Sequence, residues 1–331
     1  MTTGGAGGAE RVDPEARPAV SVVVPTRNRA DLLPRALRSV LDQTFPDFEL
    51  VVVDDGSTDA TASVRASLTD PRLVWLEGPH AGVSSARNLG VRHARADWIA
   101  FLDDDNVWLP PYLERQMATG TRSGAEVVYC LGADVGADGS RRDQRRPPST
   151  DPLRSYSDGW SPFTSCIVVR RDAFVRAGGF PVRLSHGEDQ FLWTRLALDC
   201  RWAHTPEVLM LRPEHGGSRL TDDEEADRVA RAELDRAFGA AVGRRLGLRA
   251  SMRWFWEYPG RREFWAMVSD ARTRGRRAAW DSVRRLAPAL PRSASTIWRP
   301  VVVLVVGVEG YFRVQDQYHR LHHELVDRRR P

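Results

Sequence analysis

The 331-residue chain contains no lysine; all 48 of its Lys+Arg positions are arginine, set against 44 acids. The formal charge is therefore only +4, and the absence of lysine reads as a coding bias rather than a mechanism. Cysteine is scarce. Cys130, Cys166 and Cys200 are odd in number and form no CxxC, which excludes a disulfide framework and a zinc-finger type of site. Long apolar runs are also missing. The longest, Val301–Val308, is far too short to cross a bilayer. Met1–Glu15 is Gly/Ala-rich without an apolar core, so it is expected to be a disordered leader (segment 1–17) rather than a signal peptide. A cytoplasmic protein is the default expectation. With 42% hydrophobic and 28% charged residues, the chain has the balance of a globular protein with one large domain and an appendage, or two modest domains.

What is present in the first half is an alternation of strand and helix signals. Val20–Val24 is an unbroken β-branched run stopped by Pro25, as in a strand buried on both faces. Asp31 follows as a candidate N-cap, and Leu33, Leu37, Val40 and Leu41 recur at helical spacing. Leu50–Val53 is a second buried strand, ending in Asp54-Asp55-Gly56-Ser57-Thr58-Asp59. A helix over Thr61–Leu68, a strand over Leu73–Leu76, a helix over Gly82–Ala94 and a strand over Trp98–Leu102 complete the series. Such alternation predicts a mostly parallel sheet covered by helices, with ligands bound at the carboxyl ends of the strands. Pro25-Thr26, Asp54-Asp55 and Asp103-Asp104-Asp105 all fall on that edge. Glu126–Leu131, Ser165–Arg170 and Val208–Leu211 read as further strands and Asp172–Ala177 as a helix, whereas Ala133–Ser161 reads as one long loop.

Five constellations carry chemistry. Asp103-Asp104-Asp105 places three carboxylates at a strand end, where like charges raise one another's pKa unless a cation sits among them. Oxygen ligands of this kind favour Mg²⁺ or Mn²⁺, which also hold phosphates; the alternative is a solvated acidic turn. Asp54 and Asp55 suit a base edge or a ribose hydroxyl, with helix capping by Ser57, Thr58 or Asp59 alongside. His80–Gly90 opens a helix with small residues, and Arg87 lies one turn further in as a candidate phosphate clamp. Glu188-Asp189 precedes an apolar helix, as a general base or as charges complementing the helix dipole. After Val208–Leu211 comes Arg212-Pro213-Glu214-His215, where His215 is a candidate metal ligand or phosphate contact.

Taken in order, Val22–Arg29, Val51–Asp59, Ala86–Gly90, Phe101–Asp105, Gly187–Asp189 and Arg212 with His215 resemble the family 2 glycosyltransferases of GT-A fold, over roughly Val20–Leu220. The resemblance implies an α/β fold with a mixed, mostly parallel sheet over 18–220, followed by a helical, Arg/Trp-rich extension over 221–331. It implies metal-dependent, inverting transfer of a sugar from a nucleotide diphosphate, UDP or dTDP, to an acceptor hydroxyl. Carried over, Pro25, Thr26 and Arg29 line the nucleobase pocket, and Asp54 or Asp55 binds the base. Arg87 touches the diphosphate. Asp105 holds Mg²⁺ or Mn²⁺ with Asp103 and His215 as further candidates, while Asp103 or Asp104 takes the ribose. Glu188-Asp189 supplies the base, with Asp189 favoured. At Asn106, where many relatives carry a fourth acid, this chain departs from the pattern.

Two rivals are weighed. An inactive nucleotide-sugar-binding module is opposed by the intact Asp103–Asp105 and Glu188-Asp189. A sugar nucleotidyltransferase needs a Gly-x-Gly-x-Arg loop where this chain has Pro25-Thr26-Arg27-Asn28-Arg29. In the extension, Arg244–Arg299 holds 14 arginines against four acids, interleaved with Trp254, Trp256, Trp265, Trp280 and Trp298. Such a stretch suits peripheral contact with an anionic membrane or a lipid-phosphate acceptor, or packs its aromatics and solvates its arginines. No nucleic-acid-binding motif accompanies it. The acceptor (saccharide, lipid carrier or natural product) is not legible.

Overall fold

The computed structural model describes residues 17–147, 149–157, 160–215 and 237–238. The expected leader and nearly all of the Arg/Trp-rich extension lie outside them. The chain divides into two compact units, one of residues 1–146 and 162–218, the other of 147–161 and 219–331. Everything below concerns the first unless stated.

Its centre is a nine-stranded sheet. The parallel half comprises β1 (Val20–Thr26), β2 (Phe48–Asp54), β3 (Leu73–Glu77) and β4 (Trp98–Phe101), in the order β3-β2-β1-β4. Every residue of β1 and β4 is buried, as the unbroken apolar runs predict for strands covered on both faces. Their connections are α1 (Leu33–Leu41), α2 (Thr61–Ser67) and α3 (Val83–His93). Helix α1 starts without a side-chain cap and with Pro in its first turn, so Asp31 does not play the capping part expected of it. For α2 the cap comes from Asp59, whose Oδ1 accepts the Thr61 N–H at 3.0 Å.

The second half adds β5 (Val107–Trp108), α4 (Tyr112–Ser123), β6 (Val127–Val135) and β7 (Arg141–Asp143). Then come α5 (Pro152–Ser157, in the second unit), a 3-10 turn at Thr164–Cys166, β8 (Ile167–Arg170), α6 (Arg171–Arg176), α7 (Glu188–Asp199) and β9 (Trp202–Pro213). Strand β8 runs against both β4 and β6, and β9 runs parallel to β6. Strands β6 and β9 therefore point the same way as β4 and deliver their ends to the same edge.

Three expectations change. Ala133–Ser161 is not one loop, since β6 continues to Val135, turns through Gly139 (φ +79°) and returns as β7. Strand β9 starts six residues earlier than the apolar run Val208–Leu211, because a bulge opposite Tyr129–Leu131 absorbs Pro206, which lacks a ladder N–H. Helix α4 has no counterpart in the apolar pattern; its inward face includes Gln116, Thr119 and Gly120.

Close packing sets the site's geometry. A Cβ on Gly90 would lie 2.4 Å from Val23 Cγ1, so only glycine lets α3 approach β1 this closely. That approach carries Arg87, one turn earlier, over the carboxyl edge of the sheet.

Candidate active site

The ends of β1 and β2 are knitted together by short polar loops. Asn28, in the left-handed region at φ +52°, donates its N–H to Ser57 Oγ at 2.9 Å and accepts the Thr58 N–H on Oδ1 at 2.7 Å. Asp59 Oδ2 accepts the Ala30 N–H at 3.0 Å. The two acids expected at the base take separate parts. Asp55 is buried and accepts the Ala81 and Gly82 N–H groups at 3.3 and 2.8 Å, fixing the entry to α3. Asp54 is more open and accepts the Ser57 N–H at 2.9 Å. The Thr26 hydroxyl at the end of β1 donates to Asp104 Oδ2 at 2.7 Å.

The three acids after β4 diverge as sharply. Asp103 turns inward: Oδ1 lies 2.6 Å from Arg87 Nη2, and Oδ2 accepts the Ser165 hydroxyl at 3.2 Å. Asn106, in place of a fourth acid, donates Nδ2 to Ser165 Oγ at 2.9 Å. Asp104 faces Thr26; burial, then its neighbours Asp105 and Asp103, push its carboxyl up to about 7 against the Thr26 hydroxyl and Arg29. Asp105 has a third partner, with Oδ2 3.0 Å from His215 Nε2.

Arg87 joins this triplet to the acid pair. The residue is 5% exposed, with Nη1 2.9 Å from Glu188 Oε1, Nη2 on Asp103, and its guanidinium 5.0 Å from the Phe180 ring centroid. Burial opposes the charge, but Asp103 and Glu188 outweigh it and hold the guanidinium protonated, its pKa raised. Arg87 was expected to clamp a diphosphate; in this structure both of its Nη groups are engaged by carboxylates. At the start of α7, Glu188 is therefore paired and buried, whereas Asp189 is more open. Asp189 accepts the Thr164 hydroxyl on Oδ2 at 3.3 Å. Burial and then Glu188 raise its carboxyl to about 6, against the Gln190 N–H and Arg87.

Asp105, Asp103 and His215 do not form one ligand set, because Asp103 is drawn into the arginine network. Among the described residues no three His, Cys, Asp or Glu side chains gather as a metal cage. Asp105 and His215 still suit a divalent cation. The imidazole is largely enclosed, its Nδ1 has no partner among the described residues, and nucleotide-bound cations commonly use one or two protein ligands with phosphate oxygens completing the shell. Sequence reasoning missed Thr164, Ser165 and Phe180. No spacing or charge pattern marks them, and their parts come from the turn before β8 and the Gly178-Gly179 turn.

Comparison with known proteins agrees with the fold. Residues 21–176 match the model of Glycosyl transferase family 2. A curated relative is the UDP-Glc:alpha-D-GlcNAc-diphosphoundecaprenol beta-1,3-glucosyltransferase WfgD of Escherichia coli. It is 33% identical over 111 residues, 33% of this chain and 44% of that protein. The chain spans less than half the length of the bacterial curated relatives it matches. Among solved structures, S. aureus TarS 1-349 in complex with UDP-GlcNAc aligns with TM-score 0.64 and 18% identity, covering 91% of each chain. Mannosyltransferase PcManGT from Pyrobaculum calidifontis, in complex with GDP-Man and Mn2+, aligns with TM-score 0.52 and 23% identity, over 92% of this chain and 86% of that one. The shared fold is the GT-A type.

Proposed function

We propose that this chain transfers a sugar from a nucleotide diphosphate donor to an acceptor hydroxyl with inversion, using Asp189 as the base. The observation that carries this reading is the Arg87 bridge, which ties the triplet after β4 to the pair opening α7 through contacts of 2.6 and 2.9 Å. One acidic motif thus faces the nucleotide and the other the acceptor, with a buried cation holding them in fixed relation. The names of the aligned proteins, with UDP-Glc, UDP-GlcNAc and GDP-Man, support a nucleotide sugar as donor.

In this mechanism Pro25, Thr26, Arg29 and Asp54 line the nucleobase side, and Asp55 acts indirectly by fixing the α3 entry loop. Asp104 takes the ribose with Thr26. Asp105 and His215 would hold the cation, Mn²⁺ rather than Mg²⁺ because an imidazole joins the carboxylate. A bound cation supplies positive charge against the departing diphosphate. The acceptor oxygen attacks the anomeric carbon from the face opposite the leaving group. The bond to the diphosphate oxygen breaks with its electron pair, and the hydroxyl proton passes to the Asp189 carboxylate. Glu188 remains the partner of Arg87. No covalent intermediate forms.

A thermal-shift screen of UDP-, dTDP- and GDP-sugars with Mn²⁺ tests this reading. A matched donor raises the melting temperature by mass action, whereas no shift with any nucleotide sugar would sink the proposal. Asp105→Ala is expected to abolish the Mn²⁺-dependent part of that shift while leaving the weak metal-free binding. Full Mn²⁺ dependence in the variant would remove Asp105 from the cation site. Among the described residues no helix is long and apolar enough to cross a membrane.

A further inference from the structure

Behind the two acidic motifs lies a short turn that touches both. Ser165 is fully buried, and its hydroxyl is saturated. Oγ accepts the Asp103 N–H at 3.0 Å and Asn106 Nδ2 at 2.9 Å, and donates to Asp103 Oδ2 at 3.2 Å. It therefore fixes both the main chain and the side chain of the first acid of the triplet. The preceding residue, Thr164, donates its hydroxyl to Asp189 Oδ2 on the other side.

The turn is itself held from behind. Its Ser165 carbonyl accepts Trp108 Nε1 at 2.7 Å, and the Cys166 carbonyl accepts Gln116 Nε2 at 2.9 Å. Trp108 is locked by stacking on Tyr112, with ring centroids 3.9 Å apart and planes 9° from parallel. A turn anchored by β5 and α4 can hold other groups in place, because its own position does not follow theirs.

We propose that Thr164-Ser165 is a positioning element for both halves of the site: Ser165 sets the acid triplet for the nucleotide, and Thr164 aims the Asp189 carboxylate. This rests on the transferase reading above. The two hydroxyls are adjacent in sequence but act on different steps, so their losses have different signatures. Ser165→Ala leaves the Asp103 N–H and Asn106 Nδ2 without their acceptor and loosens the triplet. Thr164→Val keeps the shape and removes one hydrogen bond to the base.

The test is titration calorimetry with UDP, dTDP and GDP in the presence of Mn²⁺, together with steady-state nucleotide release from the matched sugar donor. Ser165→Ala is expected to weaken nucleotide binding and raise the donor KM about 10-fold, with kcat within about three-fold of wild type. Thr164→Val is expected to lower kcat about 10-fold at unchanged nucleotide affinity, and Thr164→Ser to restore it. Unchanged parameters in both variants would overturn the proposal. Parallel losses of KM and kcat in both, tracking a lowered melting temperature, would also overturn it, since a merely structural turn behaves that way. A wild-type protein that binds none of UDP, dTDP and GDP would sink the transferase reading and this inference with it.

Discussion

Asp189→Asn is expected to lose transfer by about 10²- to 10⁴-fold in kcat while nucleotide-sugar affinity stays within about two-fold. The amide preserves the size of the side chain and the contact with Thr164, but cannot take the acceptor proton. Asp189 is the group to lose because Glu188, its neighbour, is already paired with Arg87 at 2.9 Å and sealed from solvent. The same assignment fixes a pH dependence. The base works only when ionised, and its pKa is raised to about 6, so kcat is expected to fall ten-fold per pH unit below that value. Glu188→Gln removes a negative neighbour that raises this pKa and should move the acidic limb to lower pH. Steady-state kinetics across pH 5 to 8 (a range of about three units around the usual working pH) reads both effects. If Asp189→Asn stays active while Glu188→Gln is dead, the two roles are exchanged.

Arg87→Ala is expected to be the most destabilising single change at the site, at about 3–5 kcal/mol in urea unfolding. The figure follows from what is left behind. The buried Glu188 and the partly open Asp103 would face each other with no cation between them, and Phe180 would lose the guanidinium packed over its face. In a Glu188→Gln background one of those charges is gone, so the same substitution should cost about 1–3 kcal/mol less. Equal costs in both backgrounds would mean that Arg87 stabilises by packing alone. Arg87→Lys should fall between, because one ammonium cannot meet two carboxylates in the geometry of a fork.

The parallel half of the sheet was legible because its strands are buried on both faces. Val20–Val24 and Leu50–Val53 must then be apolar without interruption, and such runs are visible in any sequence. Helix α4 escaped notice for the converse reason. Its buried Gln116 and Thr119 hydrogen-bond through Gln116 Nε2 to Cys166 O and through the Thr119 hydroxyl to Thr205, partners that exist only in the folded chain. Strand β9 was half read because Pro206 looks like a breaker until the bulge that houses it is known. At the site, residue type was legible and partnership was not. Three adjacent aspartates announce a charged edge, but nothing in their order says that Asp103 turns to Arg87, Asp104 to Thr26 and Asp105 to His215. An arginine on a helix is usually solvated, and only the close approach of α3 at Gly90 buries Arg87. Thr164 and Ser165 carry no charge and no spacing, so their position between the motifs emerges only from the fold.

The most direct test of single-step displacement needs no knowledge of the acceptor, because water can take its place. The wild-type protein, at high concentration with Mn²⁺, is given the α-linked nucleotide sugar that stabilises it. The released sugar is followed by NMR before its anomers re-equilibrate. Attack opposite the leaving group predicts the β-anomer as first product; release of the α-anomer first would contradict the mechanism.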